Sequence, residues 1–174
     1  MTKQSSLLLA LALAGAVGCA GMDPVPLEQA ELARSTKPLG GQTLAEKHSE
    51  MQRTQSDLVR HLKTLDSMRL RHDQNGLVLF EEFIGSYMDE HVDPLLARDW
   101  TSTHPDLAGL DAGIRLVSIE LLSKLRRPNR AQAMIDDTKL RYRGREDVMV
   151  EYPVGKRTPL ASALEIVEDA NWRG

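Results

Sequence analysis

TLAEKHSEMQRTQSDLVRHLKTLDSMRL, residues 43–70, settles the fold class. Leu44, Met51, Leu58 and Leu65 recur every seven residues, and Leu62 and Met68 fill the same stripe at helical spacing. Thr43 and Glu46 stand three apart at the start of the stripe, a pairing in which each side chain satisfies the other's backbone donor. No Gly or Pro interrupts before Asn75-Gly76, which reads as the stop. The segment is therefore a helix of about thirty residues, roughly 45 Å long. One apolar stripe of that length needs a partner along all of it.

The residues on either side supply partners. Leu77, Phe80, Ile84, Tyr87, Met88 and His91 share one helical face, and Asp93-Pro94 marks an end or a kink. Thr103-His104-Pro105-Asp106 is the next start signal, with proline near the first helical position. Its letters resemble the His-Pro-Asp tripeptide of J-domain co-chaperones, but there the preceding helix is basic and here it is acidic. Leu107, Leu110, Ile114, Val117, Leu121 and Leu125 follow at helical period, and Leu116, Ile119 and Leu122 widen the face, so this helix is the most buried. A fourth helix spans about 129–142, residues 148–150 read as a short extended piece without a partner, and Thr158-Pro159 caps a last helix through Ala170. The sum is an all-α bundle of four to five helices over residues 42–174. Only 4% of residues are aromatic, so aliphatic packing must carry the core.

Upstream, residues 7–17 are almost unbroken Leu, Ala, Gly and Val behind a single charge, Lys3. The run has the length of a signal-peptide core and falls short of the roughly 20 residues that span a bilayer. It ends in Ala16-Val17-Gly18-Cys19, which holds the only cysteine in the chain. This tetrapeptide resembles the lipobox of bacterial lipoproteins, with Ala16 where leucine is commonest. The resemblance implies a signal peptide over 1–18, removed in the mature chain, and acyl (palmitate-type) chains on the Cys19 sulfur. It further implies that Ala20, in place of Asp, directs the protein to the outer membrane facing the periplasm. Residues 19–41 carry several prolines and a Gly-Gly pair and read as a lipidated terminus and flexible linker.

Charge is uneven along a chain of net −3. Residues 73–111 hold nine acidic side chains against Arg98 alone, and residues 124–157 hold ten basic against five acidic. Two outcomes are open: solvated helix faces that attract each other across the bundle, or a cationic surface of Arg126, Arg127, Arg130, Arg141, Arg143 and Arg145 that meets anionic envelope polymers or head groups. Nucleic acid is excluded as a partner by the acidic balance and by basic residues that are not interleaved with aromatics.

Three His–Met pairs lie one turn apart: His48 with Met51, Met68 with His72, and Met88 with His91. Imidazole with thioether suits Cu(I) or an axial haem iron, which makes periplasmic copper or haem binding the alternative function. No Gly-x-Ser-x-Gly elbow, phosphate loop or His-Glu-x-x-His zinc helix occurs. The expected function is thus a lipid-anchored cell-envelope protein that binds or scaffolds and does not catalyse. It takes no dissociable cofactor, and its long apolar stripe allows a protein partner or self-association.

Overall fold

The computed structural model of the chain describes residues 42–99 and 104–173. The expectations for residues 1–41, Cys19 and the linker among them, lie outside the described residues. Among the described residues the architecture is helical, five helices with one small β-hairpin, as the apolar periodicity requires.

Helix α1 spans Leu44–Leu70. Its start is the expected capping box: Thr43 Oγ1 accepts the Glu46 N–H at 3.2 Å, and Glu46 Oε2 accepts the Thr43 N–H at 2.7 Å. Met51, Leu58 and Leu65 are fully buried, whereas Leu70 is 82% exposed. That contrast fixes a prediction. Leu58→Ala is expected to cost about 2–5 kcal/mol, because a methyl-lined void remains where the side chain was. Leu70→Ala should stay within about 0.5 kcal/mol. Urea unfolding of the two variants would measure both.

The stop differs from expectation. α1 ends at Leu70, and His72 takes the left-handed conformation (φ 55°) with its N–H donated to Arg69 O at 3.1 Å. Asn75-Gly76 instead opens helix α2, Gln74–Tyr87, which Asp73 caps by accepting the Gly76 N–H at 2.8 Å. A Cβ on residue 76 would stand 2.3 Å from Asp73 Oδ2, so the glycine serves this cap and not a helix stop. The three residues between the helices fold α2 back along α1, so the two form a helical hairpin.

α2 runs into a π turn, Met88–Val92, and a last α turn, Asp93–Leu96. Pro94 has no N–H to give Glu90 O, and the Asp93 N–H reaches back to Met88 O. The kink read from Asp93-Pro94 therefore takes the form of a widened turn. It keeps Met88, Val92, Leu95 and Leu96 buried across the irregularity.

A 3₁₀ turn, Pro105–Leu107, leads into α3, Ala108–Lys124. Residues 111–119 are all buried, because α3 packs against α1, α4 and α5 at once. Helix α4 is Pro128–Arg141, with proline where a free N–H is not needed, and it buries Ala131, Ile135 and Thr138. Residues 148–150 do find a partner: β1, Met149–Glu151, pairs antiparallel with β2, Arg157–Pro159, setting Val150 opposite Thr158. Thr158-Pro159 thus ends a strand and does not cap a helix. Helix α5, Leu160–Arg173, follows directly and buries Leu160, Ala163, Leu164 and Val167 at helical spacing.

Candidate functional site

The two oppositely charged segments meet in the folded body. Arg130 Nη2 sits 2.7 Å from Asp89 Oδ1 and 2.7 Å from Asp93 Oδ2, and Arg127 Nη2 lies 3.3 Å from Glu81 Oε1. Arg141 donates to Arg98 O at 3.0 Å and lies 3.9 Å from Asp99. These bonds fasten α2 and its extension to α4, each worth about 0.2–1 kcal/mol at such exposure. Three of the six arginines are thus tied to acidic partners within the body. Arg127, Arg130 and Arg141 are engaged with carboxylates, Arg143 is exposed, and the Arg145 guanidinium stands 6.0 Å from the centre of the Tyr142 ring. Arg126 differs from the rest and belongs to the cleft described below.

The His–Met pairs are split by burial. Met51 and Met88 are fully buried in the core, while His48 is half-buried and His91 is exposed. Met68 packs against the core from the end of α1, and His72 beyond it is exposed. His91 is exposed at the edge of the α2 face, with its ring centre 5.0 Å from that of Tyr87. Among the described residues, no group of three or more His, Cys, Asp or Glu is placed to hold a metal ion.

Among the histidines of α1 and α2 the buried one is His61, in an aromatic cluster between the two helices. Its ring centre lies 5.0 Å from Tyr87, 5.2 Å from Phe83 and 6.0 Å from Phe80. Burial, with help from the Arg60 charge and against the pull of Asp57, lowers the His61 pKa from its ordinary 6.5. The unfolded chain therefore takes up this proton first as pH falls. Stability that is present above pH 6.5 is lost between that value and the lower folded pKa. Urea midpoints at pH 7.5 and pH 5 should accordingly separate less in His61→Phe than in the native chain.

Sequence periodicity missed a buried polar network on α3. Arg115 is 2% exposed and Asp111 is 0% exposed. Arg115 Nε donates to Asp111 Oδ2 at 2.8 Å, Nη1 to Asp137 Oδ2 at 2.5 Å and Nη2 to Leu96 O at 2.9 Å. The Tyr142 hydroxyl lies 2.8 Å from both Asp111 Oδ2 and Ala108 O. Burial beside that carboxylate pushes the Tyr142 phenol far above its ordinary pKa, so it remains a proton donor. One guanidinium thereby ties α3 to the end of the α2 extension and to α4. The spacing of Asp111 and Arg115, four apart inside an apolar run, was the available signal.

An open cleft of about 870 Å³ lies where the α1–α2 tip faces the ends of α3 and α5 and the β-hairpin. Leu65, Leu77 and Val78 form one wall, and Leu125, Ile166 and Tyr152 line the other. Val78 and Ile166 are exposed at 60% and 43%, so apolar surface faces water here. The acidic groups on the cleft are already matched. Glu81 is paired with Arg127, and Glu120 accepts the Tyr152 hydroxyl at 3.0 Å and lies 3.3 Å from Lys124 Nζ. Lys124 is also held by Asp66 at 2.9 Å. Burial next to Glu120 raises the Tyr152 pKa, which keeps that hydroxyl protonated.

Two cations on the cleft, Arg69 and Arg126, have no carboxylate in salt-bridge range among the described residues. Arg69 Nη2 donates to the backbone oxygen of Lys124. Arg126 sits just past the end of α3 with φ 58°, where its N–H reaches Ser123 O and the next N–H reaches Leu122 O. That position usually belongs to glycine, since a Cβ is strained there. Arg126 was singled out in the sequence for its charge. Val78 and Ile166 gave no signal, because an exposed aliphatic residue on a helix is common.

Comparison with known proteins finds no family model, no curated relative and no solved structure that matches the chain. Among the described residues no helix is long and apolar enough to cross a membrane.

Proposed function

We propose that this chain is a lipid-anchored binding protein of a bacterial cell envelope, held at the outer membrane by acyl chains on Cys19 and working in the periplasm through its helical body. The observation that carries the binding role is the apolar-walled cleft, at the far end of α1 from residue 42. The 27 residues of α1 rise about 40 Å, so the cleft and the attachment point of the linker lie at opposite ends of that helix. The matched charges around the cleft support binding in preference to catalysis, since Glu81 and Glu120 are each committed to a cation and Tyr152 is held as a donor.

Mass spectrometry of the protein extracted from membranes tests the anchor. The expected mature terminus is Cys19, carrying a thioether-linked diacylglycerol. A terminus elsewhere together with an unmodified thiol would refute the reading.

A further inference from the structure

We propose that the cleft at the α1–α2 tip holds one acyl lipid with an anionic head, its chain along Leu65, Leu77, Val78 and Ile166 and its phosphate or carboxylate beside Arg69 and Arg126. This rests on the reading of the body as an envelope binding module, because a site for a single lipid is filled only where lipid is at hand. Three features of the cleft favour that occupant. Its volume, about 870 Å³, falls inside the span of small-molecule sites, roughly 300–1,000 Å³. Its walls are aliphatic where Val78 and Ile166 stand open to solvent, and such surface gains from taking up hydrocarbon. Its charge is in surplus on the positive side, since the carboxylates Glu81 and Glu120 are matched by Arg127 and Lys124, while Arg69 and Arg126 have no carboxylate in salt-bridge range among the described residues.

Arg126 adds an independent observation. The end of α3 is closed by backbone bonds that any residue can make, and glycine would make them without strain. The chain instead keeps a guanidinium in the left-handed region, on the rim of an apolar cleft. The same angle closes α1 at His72, so what sets Arg126 apart is a cation held there on the rim of an apolar cleft. A planar fork of N–H donors also matches the oxygens of a phosphate or carboxylate head.

The same residue makes a clean test possible. Arg126→Gly removes the cation and relieves the strain, so the variant should fold at least as well as the native chain. Val78→Asp places a charge on the apolar wall at a position exposed enough to leave the fold intact. Cells expressing the full chain would be fed a photoreactive, alkyne-tagged palmitate analogue, which enters their phospholipids, and then irradiated. The expected result is a light-dependent lipid adduct on peptides bearing Val78 or Ile166, reduced about tenfold in Arg126→Gly by loss of one charge-assisted contact. Val78→Asp should lower it as well. No light-dependent adduct at the cleft, or an adduct indifferent to both substitutions, would overturn the proposal. So would an adduct formed by the acyl chains of Cys19 itself, since the occupant would then be the anchor. Label on Cys19 forms in the dark, and its absence would count against the anchor reading alone.

Discussion

Asp111→Ala is expected to cost roughly 3–5 kcal/mol, the range for breaking a buried ion pair by removing one partner. The carboxylate it deletes is 0% exposed, and the guanidinium it abandons is 2% exposed. Arg115 would keep the Leu96 carbonyl and the half-exposed Asp137, but its Nε would lose its acceptor. Tyr142 would keep only the Ala108 carbonyl as an acceptor. Since a domain of this size has a total stability of about 5–15 kcal/mol, this variant lies close to the unfolded limit. The double variant Asp111→Leu/Arg115→Met should recover part of that loss, because matched apolar groups leave no buried charge behind. Urea unfolding of the single and double variants measures the coupling. A loss below about 1 kcal/mol for Asp111→Ala would show that the pair carries no weight in the fold.

Why apolar periodicity does not reveal this network while most helices are legible is a matter of which forces act locally. The start of α1 is decided within four residues, by Thr43 and Glu46, and can be read from the sequence. The end is decided by competition: the Asp73 side chain takes the Gly76 N–H and begins α2, so Gly76 does not stop α1. Nothing in the apolar period distinguishes those two uses of one glycine. The strands are three residues each, too short to carry a pattern, and they exist because β1 also lies against α3. Charge behaves likewise. The acidic and basic blocks were plain to see, but which arginine meets which carboxylate depends on α2 lying beside the start of α4, a tertiary fact.

The candidate site divides along the same line. Arg126 was visible as a charge, and only the backbone angle shows it occupying a glycine's place. Val78 and Ile166 come together from segments nearly ninety residues apart in sequence, with no periodicity linking them. The His–Met pairs show what spacing leaves open. Spacing of three or four places two side chains near each other on an ideal helix, but it does not say whether one of them is consumed by the core. Met51 and Met88 are consumed in that way.

The second large effect belongs to position 19. Cys19→Ser is expected to abolish acyl labelling of the chain, because a serine hydroxyl lacks the thiolate character that makes sulfur the nucleophile. The energetic consequence follows from hydrocarbon transfer. Each methylene buried in the bilayer contributes about 0.8 kcal/mol, so two or three chains anchor firmly where one is marginal. Without them the chain retains only its apolar run at residues 7–17, which is shorter than the roughly 20 residues that span a bilayer. Processing at Gly18-Cys19 should fail together with acylation, which leaves a precursor longer by the 18 residues of the signal segment. Two readouts therefore move together, loss of palmitate label and a slower-migrating band, and neither depends on how tightly the uncleaved precursor clings to membranes. On the proposed anchor reading, Ala20→Asp is expected to retain label and mature size and to move the protein from the outer to the inner membrane. Palmitate incorporation that survives in Cys19→Ser would place the lipid on another residue and remove the basis for a periplasmic address.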